Sequence, residues 1–260
     1  VTPRLVPAAA CGLLLLLLLA PVIVLIFSSF DGASFFRFPP REYSFRWYVA
    51  AWHSEEYRDA LRVSVTVATL ATLIAVPAGG LAAHALARSR LPGRRLIEAV
   101  LLAPLALPLI VWAIALLQIY ARVGLSGTWT GLVLAHAAMV LPFPARILLA
   151  TLTRIDPTLE HAAMTLGATP IRAFWRVTLP LAASGLATSA ALGFLVSFND
   201  VVVSSFLAGG HTMTFQVRLY SQLRSEGVDP MTVAIGAAIV GLIVVVAVVC
   251  ERLFHWSRHV

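Results

Sequence analysis

The sequence predicts an all-α polytopic membrane protein with six membrane-crossing helices and one polar loop, residues 153–180, between the fourth and fifth. Three observations predict it. Hydrophobic residues make up 60% of the 260 and charged residues only 12%, which places the chain among helical membrane proteins. Apolar runs recur at lengths that cross about 30 Å of hydrocarbon. Between them, Asp156 to Pro180 is a long interior segment with no such run.

The elements follow in order. Arg4 precedes an apolar run over residues 5–30. It is too long for a signal-peptide core and is followed by further crossings, so it is expected to be an uncleaved first span. Residues 31–62 form a loop mixing acids and arginines with Phe35, Phe36, Phe38, Trp47, Tyr48, Trp52 and Tyr57. Aromatics at that density beside a span suit the membrane interface, and equally a surface that guides a ligand or seats a partner. The second span is expected over 61–87, loosened midway by Pro77, Gly79 and Gly80, and ends in the basic stretch 88–95. The third, 96–120, holds Pro104 and Pro108, and the fourth, 131–152, holds Pro142 and Pro144. Prolines inside spans are tolerated where neighbours or water satisfy the freed carbonyls, so these four either shape a pathway or kink helices for packing. His84 and His136 are isolated and read as core or interface side chains.

The fifth span, 181–208, contains Asn199 and Asp200. A carboxylate within a span normally faces a bundle interior or water. Two readings stand: Asn199 and Asp200 line the solute pathway, or they form a polar pair at the interface. Residues 209–230 make a short polar return, and 231–254 the sixth span.

Composition also excludes functions. All nineteen basic residues are arginine, so a P-loop, which needs a lysine, cannot exist in this chain, nor can a lysine Schiff base. Any ATP that drives the protein is hydrolysed by another chain. The net charge of +7 fits arginines at membrane borders rather than nucleic-acid binding. Cys11 and Cys250 lie in apolar runs with no CxxC or Cys/His cluster, so neither a disulfide nor a metal site is expected. The sequence contains no candidate catalytic constellation and implies no cofactor.

The 156–180 stretch, DPTLEHAAMTLGATPIRAFWRVTLP, carries two helix starts of one kind. Asp156-Pro157 and Thr169-Pro170 each place an acceptor side chain at an N-cap and a proline at the first helical position. Leu159, Ala162, Ala163 and Leu166 share a face at i, i+3, i+4 and i+7. Gly167 stands where a left-handed C-terminal residue is wanted. The pattern predicts helix, glycine hinge, helix.

His161-Ala162-Ala163, three residues, Gly167, nine residues, then Val177-Thr178-Leu179-Pro180 resembles the EAA motif of ABC-importer permeases, with His161 at the family's glutamate position and Glu160 one residue early. The resemblance implies that 153–180 is a cytoplasmic coupling loop whose Glu160, His161, Ala162, Ala163, Leu166 and Gly167 dock on an ATPase. The alternative reading is an amphipathic helix on the membrane surface, with Arg172 and Arg176 meeting lipid phosphate. The strings SFNDVVVSSFLAGG, TFQVRLYSQLRSEGVDPMTVAIGA and YSFRWY resemble the spermidine/putrescine permease group, C-type subunit. That likeness implies a polyamine as solute, with relatives of similar appearance serving iron, thiamine and opines. Asp200, Glu98 and Glu251 are the acids that border the spans.

The likeness implies these partners: a second, related permease subunit, an ABC ATPase dimer, an extracytoplasmic solute-binding protein, a small-molecule solute and the lipid bilayer, with no nucleic acid. With six spans both termini share a side. The side with the termini and the motif holds ten arginines without Arg146, against eight opposite, so orientation follows the motif: an inner-membrane protein with both termini cytoplasmic. A secondary transporter would need ion-coupling groups and often two repeated halves. A scaffold would need neither cavity nor hinge.

Overall fold

The computed structural model describes residues 5–254 apart from 36, 90 and 91, with side chains from residue 10 to residue 245. Arg4, Phe36, both chain ends, and the side chains of Cys250 and Glu251 therefore lie outside the described residues. Those described are mostly helical, with no named strand and a single isolated bridge between Asp31 and Tyr43. The helices are α1 (Leu5–Ser28), α2 (Arg46–His53), α3 (Glu55–Arg88), α4 (Arg94–Ala106), α5 (Leu109–Val123), α6 (Trp129–Val140) and α7 (Pro142–Arg154). They continue with α8 (Thr158–Thr165), α9 (Pro170–Leu181), α10 (Ala183–Phe198), α11 (Val202–Leu207), α12 (Phe215–Glu226) and α13 (Pro230–Phe254).

Two compact units divide the chain: residues 1–58 with 219–260, and residues 59–218. In the first, α13 packs against α1 and α2. Leu13 to Leu19 on α1 are exposed at 52–70%, a continuous apolar surface of the kind a membrane-crossing helix carries. The loop after α1 is tied down. Asp31 is buried and ion-paired with Arg37, Ser29 Oγ lies 2.6 Å from the Tyr48 hydroxyl, and Trp47 Nε1 donates to the Ala33 carbonyl at 2.9 Å. The guanidinium of Arg37 beside Asp31 holds that carboxyl below its ordinary value.

The second unit carries the core, where α6 supplies Leu132, Ala135, Met139 and Val140, and α11 supplies Val203 and Leu207. The structure departs from the sequence expectation at three places. The expected span 96–120 is two helices, α4 and α5, bent by 104°. Pro108 has no N–H to give, and it forces the residue before it out of the α region; Leu107 is extended at φ −91°, ψ 140°. The expected span 181–208 is also broken. A 70° bend separates α9 from α10, and α10 ends at Phe198, before Asn199-Asp200. Pro77, Gly79 and Gly80 do not loosen α3, which runs unbroken through them for 34 residues. The two glycines let helices touch instead: a Cβ on Gly79 would lie 2.8 Å from Ala145 N, and one on Gly80 3.2 Å from the Leu148 side chain. Pro142 and Pro144 are fully buried near that contact.

Among the described residues three helical stretches are alone long and apolar enough to cross a membrane: Ala10–Ser28, Glu55–Arg88 and Trp129–Arg154. Counting each bent pair as one makes five, and the described apolar part of α13 is Pro230–Val245.

Candidate functional site

Segment 156–180 folds as its caps dictate. Asp156 Oδ1 accepts the Thr158 N–H at 2.9 Å, which opens α8 one residue after Pro157. That N–H and the Thr158 hydroxyl hold the Asp156 carboxyl below its ordinary value. Gly167 closes the helix at φ +91°, a conformation a residue with a Cβ seldom adopts. Thr169 Oγ1 accepts from Arg172 N at 3.3 Å with Pro170 at the first helical position, so α9 begins as expected, whereas at α8 Pro157 stands at the N-cap and not at the first helical position, with Asp156 one residue further out. Inside α9, Phe174–Thr178 is a π turn, a deformation that often marks functional segments. The turn sets Phe174 edge-on against His84 of α3, ring centroids 5.0 Å apart.

The six expected coupling residues split into two sets. His161, Ala162 and Leu166 are exposed, Leu166 at 88%, and Gly167 is exposed at the turn. Ala163 is half-buried and, with Leu166, Gly167, Arg172, Arg176 and Val177, borders a groove of about 310 Å³ between α8 and α9. Glu160 faces the other way. Its Oε1 accepts from Arg88 Nε at 3.0 Å and from the Thr178 hydroxyl at 2.8 Å. Arg88 and Thr178 are partners that sequence reasoning missed, because they lie 72 and 18 residues away. Burial pushes the Glu160 carboxyl up, but the Thr178 hydroxyl and the Arg88 guanidinium outweigh it and hold it below its ordinary 4.5.

Asn199 and Asp200 lie at the break between α10 and α11. Asp200 is buried at 6% exposure. Its two oxygens accept the N–H groups of Val203 and Ser204 at 3.2 and 2.8 Å, capping α11 as an N-terminal carboxylate should. His136 of α6 lies 3.7 Å from the same carboxylate. Its Nδ1 is 2.7 Å from Ser197 Oγ and its Nε2 3.1 Å from Ser204 Oγ. His136 is therefore a fully engaged core side chain that joins α6, α10 and α11. Asn199 is exposed and accepts from Gln216 at 3.3 Å.

Asn199 and Asp200 also border a cavity of about 460 Å³ with Pro104, Leu107, Phe143 and Val196. The two helix breaks, at Leu107-Pro108 and at Asn199-Asp200, thus meet at one space. Of the acids expected near the spans, Glu98 is paired with Arg94 at 3.0 Å. Among the described residues no group of three His, Cys, Asp or Glu side chains is placed to hold a metal.

The arrangement provides a pair of short helices joined at a positive-φ glycine, one with an exposed small-residue surface, and a cavity of mostly apolar wall. The family described as binding-protein-dependent transport system inner membrane component matches residues 75–257. The chain is 30% identical over 243 residues, 92% of each chain, to the spermidine/putrescine transport system permease protein PotC of Haemophilus influenzae. It is 29% identical to PotC of Escherichia coli K12, covering 89% of this chain and 87% of that one. To the trehalose transport system permease protein SugB of Mycobacterium tuberculosis it is 34% identical over 212 residues, 80% of this chain and 77% of that one. The fold is similar to a chain of a bacterial ABC transporter that imports the acidic polysaccharide alginate, with TM-score 0.73 at 21% identity over 95% and 94% of the chains. A chain of the MetNI methionine ABC transporter gives TM-score 0.60 at 19% identity over 79% and 96%.

Proposed function

The chain belongs to the family of binding-protein-dependent transport system inner membrane components, and on that premise we propose that it carries a polyamine-class solute through six spans, pushed by an ATPase at the 153–180 loop. It is a non-catalytic, multi-pass inner-membrane permease subunit of an ABC importer, and the ATPase is a separate chain. In the proposal the whole of residues 1–260 is one transmembrane domain. Its spans are α1, α3, the bent pair α4–α5, the pair α6–α7, the broken stretch α10–α11, and α13. Both termini and α8 are cytoplasmic. A second permease subunit completes the pathway, two ATPase subunits dock below, and an extracytoplasmic binding protein delivers the solute. Closure of the ATPase pair displaces α8, and the attached helices open the cavity to one side of the membrane and then the other. The helix, positive-φ glycine and capped second helix of 156–180 support the docking role, since a surface-lying helix would need neither glycine nor hinge.

The polyamine reading is carried by likeness to PotC over 92% of the chain. A second reading, a neutral sugar, is favoured by the 34% identity to the trehalose permease and by the cavity wall, whose one carboxylate is already engaged by the α11 N–H groups and His136. Calorimetric titration of the cognate extracytoplasmic protein with spermidine, putrescine and trehalose separates the two. Saturable binding of a polyamine and none of trehalose supports the proposal, and the reverse transfers it to the sugar.

A further inference from the structure

We propose that Glu160 is a positioning residue, an internal strut that transmits movement of α8 to α3, and not a contact to the ATPase; this rests on the importer reading above. One oxygen, Oε1, receives both Arg88 Nε and the Thr178 hydroxyl. The side chains of Arg88 and Glu160 are only 14% and 16% exposed, and Thr178 is fully buried. Arg88 is the last residue of α3, and its Nη2 also donates to the carbonyl of Ile155, where α7 ends, at 3.2 Å. Thr178 closes the π turn of α9. A single carboxylate therefore ties together α3, α8 and α9, and through Arg88 the end of α7. The bonds are direct and largely shielded, so side-chain contacts themselves join α8 to α3.

The geometry also accounts for the histidine at the family's glutamate position. The outward side of α8 carries His161, Ala162 and Leu166, all exposed, while the neighbouring carboxylate is turned inward. A displacement taken up by α3 has an onward path, because Gly79 of α3 lies in near contact with the α7 backbone at Ala145, and Phe143 of that helix borders the cavity. Adjacency alone does not demonstrate coupling, so the pair is tested by a double-mutant cycle.

Glu160→Gln, Arg88→Gln and the double variant are prepared in the complete importer in vesicles. Two quantities are read: ATPase recovered per permease, and stimulation of ATP hydrolysis by the cognate binding protein purified with its native ligand. The strut predicts recovery within about twofold of the parent but stimulation reduced roughly tenfold in each single variant, within the 5–150-fold range of site-to-site coupling. The double variant should be no worse than the worse single one, because both remove the same link. Recovery falling in step with stimulation makes Glu160 an ATPase contact and overturns the strut, as do unchanged stimulation or losses that multiply. Should a single variant fail to accumulate, Arg88→Cys with Glu160→Cys, bridged by a short bis-thiol reagent after Cys11 and Cys250 are replaced, takes its place. Bridging must then restore stimulation, and complete bridging without restoration overturns the proposal. Failure of the importer reading itself looks different: the parent chain recovers no ATPase.

Discussion

Replacing Gly167 by valine isolates the backbone requirement of the coupling segment. Gly167 sits at φ +91°, and a Cβ there would meet nothing within 4 Å. The Cβ therefore meets no neighbour, and the main cost is that of holding an L-residue in the left-handed region, about 1–2 kcal/mol and at the upper end for a β-branched side chain. At 1.4 kcal/mol per factor of ten, the turn joining α8 to α9 loses about five- to thirtyfold in population, while the spans, which pack elsewhere, are untouched. Gly167→Val should thus leave a membrane-inserted protein of normal abundance that recovers several-fold less ATPase after detergent extraction and takes up correspondingly less solute. Gly167→Asn should recover most of the loss, since asparagine tolerates the left-handed region. Ala163→Glu should also lose the ATPase, because it adds volume and charge beside the groove, whereas Arg172→Gln should do less harm than either. Unchanged recovery and uptake in both Gly167→Val and Ala163→Glu, or an asparagine variant as damaged as the valine one, would refute the reasoning.

Three other outcomes are expected. Single cysteines at Ser89 and Ser225, in a chain with Cys11 and Cys250 replaced, should be labelled from opposite faces of the membrane; labelling from one face removes the six-span topology. Asp200→Asn should lower the thermal stability of the detergent-solubilised protein by about 1–3 kcal/mol, since one of two charge-assisted N–H contacts and the His136 interaction are lost; unchanged stability together with lost uptake would return Asp200 to a purely solute-contacting role. Because the folded Glu160 carboxyl is held below 4.5, its contribution is present above that value and is lost as pH falls through the lowered one. The stability difference between parent and Glu160→Gln should therefore stay level from neutral pH down to 4.5 and shrink only below it, as followed by thermal unfolding across that range; a difference that shrinks well above 4.5 would contradict the pairing.

The sequence by itself determined what depends on neighbours a few residues apart. The apolar runs specify membrane helices because the hydrocarbon demands internally satisfied backbone. The turn at 166–170 was legible because Gly167, Thr169 and Pro170 act on their own backbone through a positive φ, a cap and a missing N–H. The bend at Pro108 was half legible: the proline was visible, but a proline in a span can kink or break it, and Pro77 inside the unbroken α3 shows that the residue alone does not decide whether the helix is interrupted. Only the tertiary structure decided the pairings. The sequence leaves Asp200 between the solute route and a polar pair at the interface, and packing sets against it His136, 64 positions earlier in the chain. The sequence sets Glu160 among the docking residues of the coupling helix, and the fold turns it inward onto Arg88. His136 and Arg88 are set as partners by which helices lie against each other, a relation spread over more than sixty residues that no local pattern of side chains encodes.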